Sequence, residues 1–575
     1  MGTLVSVSAN QKYLVFLNIS FLLVASALLI VYFSSSEFVV LSGFNYFNKS
    51  NQHSCKGLEK LDNYKAKCLY LKSHNPCFSQ GYIDYLHLFY CNFGRFTLLG
   101  HCLLFLWLLV LFYLLGNTAS EYFCSSLESL SRLLKLSPTI AGVTLLSLGN
   151  GAPDVFSSLV SFMGSGTDDI GFNTVVGGTS FVTCVVVGII SICVGRKHVR
   201  VDKCAFIRDV CFLLLVLASL IAILVCGKIN LWGAIGFSSM YVVYVIVVIR
   251  HNDVSEENQR DAISSFESDL SVPILNGVEK GECNCLEEGT LEEGEEGEEI
   301  NKCCLCIRSS SSCCGVFLYI IQMPLYLPRR LTIPVFCEKR WSKPMAVTSV
   351  TLAPLFLSAL FNPQKGSLST NLMVYGIGLS FGITFGVLTY VRTEDSSPPK
   401  QCLLVWLAGG FIMSVIWTYI TAQELVSLLV SLGYIFGISP SILGLTVLAW
   451  GNSLGDLITN LTMALNGGAE GVQIAISGCY AGPIFNILFG LGLSLVGSCW
   501  KDYQSSVVIP SDPYLLETLG FLVGGLLCAV VVLPRRGMRL DGVLGVGLLV
   551  IYLISVSLRL IQTLGFFNFI INIPN

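Results

Sequence analysis

Long apolar runs separated by polar loops are the dominant pattern of this 575-residue chain. A helix needs about 20 apolar residues to cross a bilayer, and thirteen runs reach or approach that length. They are residues 12–33, 98–116, 138–163, 172–194, 206–226, 230–250, 345–361, 371–391, 402–420, 437–466, 472–496, 514–533 and 541–563. Such continuous runs favour helices over the alternating strands of a membrane barrel. The pattern predicts an all-α polytopic membrane protein with about 13 transmembrane helices.

Composition supports the same class. Only 12% of the residues are charged, whereas soluble proteins carry roughly a quarter. The net charge of -3 gives no basis for binding nucleic acid. We therefore predict that the protein lies in the lipid bilayer, and the sequence indicates no protein partner. The run 12–33 has only Lys12 in front and no small-residue cleavage site, so it predicts an uncleaved span, the alternative being a cleaved signal.

A hydrophilic loop, residues 34–97, follows the N-terminal transmembrane segment, residues 1–33. The loop contains four cysteines and one glycosylation sequon: Cys55, Cys68, Cys77, Cys91 and Asn48-Lys49-Ser50. Disulfides and a glycan are typical of an extracellular or luminal compartment. We predict that the loop lies there and that the protein is a glycoprotein.

A second polar stretch, residues 251–344, separates the two halves of the chain. Its acidic, glycine-spaced part at 287–299 predicts disorder. Seven cysteines between residues 283 and 314 leave a metal site, S-acylation and free thiols open. Their spacing matches no standard zinc pattern, and S-acylation of Cys313 and Cys314 is the favoured interpretation.

Basic residues in the loops predict the orientation. With the N-terminus in the cytosol, most of the basic loops and the stretch 251–344 fall inside. The loop 34–97 and the acidic loop at Asp168 and Asp169 fall outside.

One segment of the chain is duplicated. Residues 137–154 read SPTIAGVTLLSLGNGAPD, and residues 439–456 read SPSILGLTVLAWGNSLGD, with nine of eighteen positions identical. The same shift of 302 residues places the other apolar runs of 98–250 onto those of 402–563. Two further runs, within 345–391, link the halves. Since each half has five spans, the predicted orientation inverts one half relative to the other, an architecture typical of secondary transporters.

The duplicated motif places Asp154 and Asp456 in the middle of a span, where an unpaired carboxylate costs several kcal/mol. Each follows Gly-Asn, so that the Asn and Asp face the same way one turn apart. The glycines and Pro153 predict a loosened turn with free carbonyls, and Ser439-Pro440 predicts a helix start. Residues 177–183 (GGTSFVT) and 481–488 (AGPIFNIL) add hydroxyls and an amide on the next span. Carboxylate, amide and hydroxyl oxygens suit a hard cation.

These motifs resemble a known family. GNGAPDVFSS, GNSLGDLITN and AGPIFNILFG are similar to the α-repeats of the Ca²⁺/cation antiporter superfamily, particularly the plant cation/calcium exchangers and the mitochondrial-type sodium/calcium exchanger. The resemblance implies a sodium/calcium exchanger-like core of ten helices, with the cation bound between the repeats. The ligands it implies are Asn150, Pro153 (through its carbonyl), Asp154, Gly178, Asn452, Ser453, Asp456, Gly482 and Asn486. Many members place Glu where this chain has Asp154 and Asp456, and the first repeat has Val182 opposite Asn486.

Together, these observations predict a membrane cation antiporter and no enzyme activity or cofactor. The resemblance implies Ca²⁺, K⁺, Na⁺ or Mn²⁺ as cargo, H⁺ or Na⁺ as counter-ion, and the plasma membrane or the vacuolar and other endomembranes. A cation channel is the alternative. An intramembrane aspartyl protease is disfavoured because its Gly-x-Gly-Asp motif is absent at Asp456.

Overall fold

The structure, a computed structural model, describes most of the apolar runs and the ends of some loops. The described residues are 14, 16–27, 58, 61, 63–73, 81–124, 126, 147–163, 168–195, 199–267, 323–335, 341–361, 368–394, 403–466, 468–501, 506–509 and 512–563. The sequon, Cys55, Cys77 and the acidic, cysteine-rich part of the loop 251–344 lie outside them.

The described chain is helical apart from two strands of two residues. In the first half the helices are α1 Phe16–Ala27, α2 Tyr64–Ser73, α3 Thr97–Cys124, α4 Ser147–Met163, α5 (Asp168–Ser180, Phe181–Val186 and Val187–Val194), α6 Lys203–Cys226 and α7 Leu231–Glu267. They are followed by α8 (323–330), α9 Lys343–Phe361 and α10 Leu368–Arg392. In the second half they are α11 Leu403–Phe436, α12 (Pro440–Leu443, Gly444–Leu448 and Ala449–Asn466), α13 (Gly468–Phe485, Asn486–Leu491 and Gly492–Lys501), α14 Pro513–Arg535 and α15 Gly542–Thr563. The strands are β1 Lys228–Ile229 and β2 Val507–Val508.

Eleven of the described helices are long and apolar enough to cross a membrane. The other two predicted runs, 12–33 and 138–163, contain the shorter described helices α1 and α4. The prediction of an all-α membrane protein is confirmed, and every predicted run contains a described helix.

Loops of the two halves contact each other reciprocally. β1, between α6 and α7, pairs antiparallel with β2, between α13 and α14. An isolated bridge joins Arg200, between α5 and α6, to Arg539, between α14 and α15. In each case the connection between the third and fourth helices of one half meets the connection between the fourth and fifth helices of the other. This is the pattern that two halves related by a twofold axis would make.

α5 and α13 are the central helices of the bundle. In their most apolar windows 83% and 72% of the residues are buried inside the protein, whereas no other candidate span exceeds 44%. Their apolar side chains form one core with α6 and α14, including Val176, Leu217, Ile487 and Leu522. By contrast α10 leaves large apolar residues such as Leu372 and Val391 exposed, as a helix facing lipid does. The two central helices are the ones that carry Gly178 and Asn486.

The predicted end of the run 402–420 is wrong, because α11 continues to Phe436. The apolar pattern is broken there by polar residues, among them Gln423 and Glu424. Glu424 is only 6% exposed and accepts a hydrogen bond from Tyr85, which lies before α3. The helix can continue through Glu424 because this carboxylate is hydrogen-bonded by Tyr85, which lies more than 300 residues earlier in the chain.

The loosened turn lies elsewhere than predicted. α4 is α-helical through Pro153, and α12 is α-helical from Ala449 through the whole Gly-Asn-Asp motif. The described π-helical segments are Leu88–Asn92, Ala119–Cys124, Phe181–Val186, Gly444–Leu448 and Asn486–Leu491. This conformation is rare and is frequent at functional sites. Ser439 is the cap residue of α12 and Pro440 its first residue, as predicted, but the Ser439 side chain makes no capping hydrogen bond.

The polar loop before α3 contains a disulfide between Cys68 and Cys91. This confirms the predicted disulfide for two of the four loop cysteines.

Candidate cation-binding site

Four helices, two from each half, build the candidate site. α4 contacts the π-helical segment Asn486–Leu491 of α13, and α12 contacts the corresponding segment Phe181–Val186 of α5. The helix that carries each motif aspartate therefore packs against the central helix of the other half. Asp154 and Gly178 of the first half meet Ser453 and Asn486 of the second at this crossing.

Asp154 lies at the centre of the crossing. Its side chain is 4% exposed, and its Oδ2 accepts a hydrogen bond of 2.8 Å from the Asn486 amide. Its Oδ1 is buried, and no hydrogen-bond partner for it lies among the side chains that the structure describes, which do not include that of Asn150. A buried carboxylate with one free oxygen is costly unless a cation or proton neutralises it. The arrangement therefore favours a positive charge at Asp154.

Asp456 is near enough to Asp154 for the two carboxylates to repel each other. The residue is half-buried. The adjacent Gly455 is exposed, and a Cβ added there would meet nothing within 4 Å. The two aspartates therefore differ in exposure: Asp154 is buried, and Asp456 is half-buried.

Asn452 and Ser453 add oxygens from α12. Asn452 is 6% exposed and donates a hydrogen bond of 3.1 Å from its amide nitrogen to Ser157 Oγ of α4. Ser453 is fully buried, and within the described residues neither its hydroxyl nor the Asn452 amide oxygen has a partner. The hydrogen bond from the Asn452 amide nitrogen to Ser157 joins the two halves and fixes the orientation of the amide. The amide oxygen is therefore available as a ligand.

Gly178 of α5 lies against these groups. A Cβ added there would be 3.4 Å from Ser453 Oγ and 3.7 Å from each carboxylate oxygen of Asp154. Gly482, its predicted counterpart on α13, is half-buried, and a Cβ there would meet nothing within 4 Å. Gly178 therefore lies against the Asp154 carboxylate, whereas the Cβ position of Gly482 has open space around it in the described part of the chain.

The remaining predicted residues lie on α4. Asn150 is helical, and its side chain falls outside the described residues. Pro153 is buried within the helix. A proline frees the carbonyl four residues before it, here that of Gly149, so a ligand role for the carbonyl of Pro153 itself stays a prediction.

Several buried oxygens of these four helices have no hydrogen-bond partner among the described residues. They are Asp154 Oδ1, Ser158 Oγ, Thr179 Oγ1, Ser180 Oγ, Asn452 Oδ1, Ser453 Oγ and Asn486 Oδ1. The hydroxyl of Thr183 differs, since it donates to the Thr179 carbonyl at 2.7 Å. Buried polar groups are normally paired. Of these groups, Asn486 and Ser453 lie near Asp154, and oxygen donors of this kind suit a hard cation.

The donors of the candidate site are oxygens. Two carboxylates and several neutral oxygens match the preference of Ca²⁺ and of alkali cations for oxygen ligands. Within the described ranges, no group of three or more His, Cys, Asp or Glu side chains converges on a point.

Two contributors to this site were missed in the sequence. Ser157 orients Asn452, and Phe112 of α3 lies directly against Gly451, where a Cβ would collide with its ring. Ser157 belongs to the quoted motif GNGAPDVFSS, so its place one turn after Asp154 was the available signal. Nothing in the sequence points to Phe112.

Comparison with known proteins agrees with the geometry. The model of the family described as sodium/calcium exchanger protein matches residues 104–250 and 406–561. The chain belongs to the sodium/calcium exchanger family. Members of this family are transporters, so the exchanger is not an enzyme. The two matched segments coincide with the duplicated halves that build the site.

Curated relatives cover nearly the whole exchanger. Cation/calcium exchanger 2 of Arabidopsis thaliana is 56% identical over 96% of this chain and 98% of its own. The mitochondrial sodium/calcium exchanger protein of Rattus norvegicus is 31% identical over 90% of this chain and 91% of its own. A crystal structure of an H⁺/Ca²⁺ exchanger covers 79% of this chain and 85% of its own, at 12% identity and a TM-score of 0.42. The family assignment rests on the sequence matches.

We expect Ser157→Ala to lower the apparent cation affinity of the exchanger by about twofold to tenfold, since a hydrogen bond contributes about 0.5–1.5 kcal/mol. The alanine leaves the Asn452 amide free to turn its oxygen away from the site. The concentration dependence of ⁴⁵Ca²⁺ uptake measures this change. Ser191→Ala is the matched control, because that buried hydroxyl bonds only the Val187 carbonyl of its own helix. Equal affinities of the two variants would contradict the role given to Ser157.

Proposed function

We propose that this protein is a cation/calcium antiporter that binds Ca²⁺ between Asp154 and Asp456 and exchanges it for H⁺ or Na⁺ by alternating access. The observation that carries the proposal is the contact between Asn486 of one half and Asp154 of the other, near buried oxygens that have no partner among the described residues. Two carboxylates balance the charge of one divalent ion. Protons or sodium ions can neutralise the same carboxylates in its place, which makes the two ions compete.

The proposed architecture is an inverted repeat of five helices, 98–250 and 402–563. The helices α9 and α10 join the two halves. The duplicated motif and the reciprocal loop contacts support this division. An inverted pair of halves has two related packings, one open to each side. The different exposures of Asp154 and Asp456 fit one such packing.

The cargo is proposed to be Ca²⁺ first, with K⁺, Na⁺ or Mn²⁺ as further candidates. The relatives named above carry calcium in their names. Val182, the counterpart of Asn486, is buried and offers no ligand, so one side of the site has fewer oxygens. Fewer ligands favour one divalent ion over several sodium ions bound together.

The predicted orientation and compartment complete the proposal. The N-terminus would lie in the cytosol, and the loop 34–97 would face the outside of the cell or a lumen as a glycosylated segment. The Cys68–Cys91 disulfide supports an oxidising compartment for this loop. The membrane would be the plasma membrane or a vacuolar or other endomembrane.

Uptake of ⁴⁵Ca²⁺ and ⁸⁶Rb⁺ into proteoliposomes of the purified protein tests the function. We expect ⁴⁵Ca²⁺ uptake when a proton or sodium gradient is imposed, and the gradient that drives it identifies the counter-ion. Uptake at equal rates with and without either gradient would support a channel instead. Uptake of ⁸⁶Rb⁺ alone would overturn the assignment of Ca²⁺ as cargo.

A further inference from the structure

Asn460 of α12 is a buried amide outside the predicted set of cation ligands. The residue is 9% exposed and lies four residues after Asp456. Side chains four residues apart lie on the same face of a helix, one turn from each other. Asn460 therefore extends the face of α12 that carries Asp456 by one turn, toward the end of the helix at Asn466.

The amide of Asn460 reaches the next helix. α12 and α13 follow each other with one residue between them and pack together, so they cross the membrane in opposite directions. A Cβ at Gly478 of α13 would lie 3.0 Å from Asn460 Oδ1, which places this oxygen against the backbone of α13. One turn further along both helices, the same register places Asp456 opposite Gly482.

The corresponding pair in the first half is closely packed, whereas this pair is not. Asp154 of α4 lies opposite Gly178 of α5, where an added Cβ would be 3.7 Å from each carboxylate oxygen. A Cβ at Gly482 would meet nothing within 4 Å in the described part of the chain. A gap therefore separates α13 from the turn of α12 that carries Asp456.

The halves also differ one turn beyond the aspartates. The duplicated motif aligns Asn460 with Ser158, a buried residue whose short hydroxyl has no partner among the described residues. On the facing helix, Gly478 corresponds to Thr174, whose hydroxyl bonds the carbonyl of its own helix at Ile170. Only the second half combines a long amide on one helix with a glycine on the other. The Asn460 amide consequently lies at the end of the gap beside Gly482.

The chemistry of this gap suits a cation of single charge. A carboxylate and an amide oxygen are ligands for hard cations, and one carboxylate balances one monovalent ion. Ca²⁺ takes about six to eight oxygens, far more than Asp456 and Asn460 supply. The oxygens of Asn486 and Ser453 lie near Asp154 instead. A smaller charge, with water completing its coordination, is the better match for the gap.

We propose that Asp456 and Asn460 form a separate subsite for one monovalent alkali cation, Na⁺ or K⁺, between α12 and α13. This subsite presupposes the proposed function, in which Ca²⁺ and the counter-ion occupy the same carboxylates in turn. Ca²⁺ bound between the two aspartates displaces the alkali cation from Asp456. Asn460 therefore contributes to binding of the counter-ion and not to binding of Ca²⁺.

Thermal unfolding in detergent measures binding without transport, because a ligand of the folded protein raises the midpoint. We expect NaCl or KCl to raise the wild-type midpoint above that in choline chloride at equal ionic strength. The rise should fall to about half or less in Asn460→Ser, which introduces the first-half residue, and in Gly482→Ala, whose methyl group enters the gap without a collision. The salt that gives the larger rise identifies the preferred cation.

Asn18→Ser is the matched control, since it makes the same change at a buried residue of α1, outside both repeats. Its rise should equal that of wild type. Equal rises in wild type, Asn460→Ser and Gly482→Ala would overturn the subsite. No rise in wild type with either salt would overturn it as well.

Transport separates this subsite from the Ca²⁺ site. In proteoliposomes loaded with the stabilising cation, Asn460→Ser should raise the internal concentration of that cation at half-maximal ⁴⁵Ca²⁺ uptake by about fivefold to tenfold. The external Ca²⁺ concentration at half-maximal rate should not change. An equal change in both concentrations would overturn a separate subsite, as would uptake that responds to protons and to neither alkali cation. Absence of ⁴⁵Ca²⁺ uptake by wild type under every gradient would overturn the proposed function instead.

Discussion

Replacement of Asp154 by Asn is expected to reduce cation exchange by a factor of about 100 or more. The carboxylate is buried at the crossing of the two halves, with one oxygen bonded to Asn486 and the other without a partner among the described side chains. Removing one charge from a buried ionic contact costs about 3–5 kcal/mol, which is more than two orders of magnitude in binding. Asn keeps the shape and can still accept from Asn486, so the helices should assemble normally. Initial rates of ⁴⁵Ca²⁺ uptake measure the loss.

Asp456→Asn is expected to have a comparable effect, because the two carboxylates share one cation. Asp541→Asn is the control, since Asp541 caps α15 through the Leu544 amide and Asn caps a helix equally well. Elution as a single species in size-exclusion chromatography shows that each variant is folded. Exchange at the wild-type rate in Asp154→Asn would contradict the site.

Replacement of Gly151 by Ala is expected to reduce exchange by about tenfold or more while the protein stays folded. A Cβ at this position of α4 would collide with the Asn486 amide oxygen and lie 3.1 Å from the Phe485 ring. Asn486 is a side-chain terminus and can turn away at little cost in stability. In turning, it loses its hydrogen bond to Asp154 and withdraws its oxygen from the site. Gly151→Ala is therefore expected to lower the rate of exchange without lowering the stability of the fold.

The matched control for Gly151→Ala is Gly524→Ala in α14, where an added Cβ meets nothing within 4 Å. Thermal unfolding of the detergent-solubilised proteins should give similar midpoints for both variants. The concentration dependence of ⁴⁵Ca²⁺ uptake should change for Gly151→Ala alone. Equal uptake by both would show that Asn486 does not act in the site.

Much of the fold could be predicted from hydrophobic patterning, because lipid requires long apolar helices. The failures occur where tertiary contacts override the pattern. α11 extends to Phe436 because Glu424 is bonded by a distant segment. The π-helical segment that begins at Asn486 packs against α4. Neither contact leaves a periodic signal in the sequence.

The site was predictable to the extent that it is duplicated. Matching the two motifs identified Asp154, Asn452 and Asp456, and the adjacent span identified Asn486. The sequence could not show which amide would bond which carboxylate, nor that Ser157 would orient Asn452. The duplicated sequence also suggested that the two halves contribute equally to the site. In the structure, however, Gly178 faces Asp154 and Ser453, whereas a Cβ at Gly482 would meet nothing within 4 Å. Such differences arise from the packing adopted by two related halves, which the repeat itself does not encode.

Labelled calcium efflux from preloaded proteoliposomes tests the central claim most directly. Vesicles that contain ⁴⁵Ca²⁺ are diluted into medium with or without unlabelled Ca²⁺, at the same pH and salt on both sides. Exchange at one alternately exposed site predicts that external Ca²⁺ accelerates efflux in wild type and has no effect in Asp154→Asn. Wild-type efflux at the same rate with and without external Ca²⁺ would contradict the account.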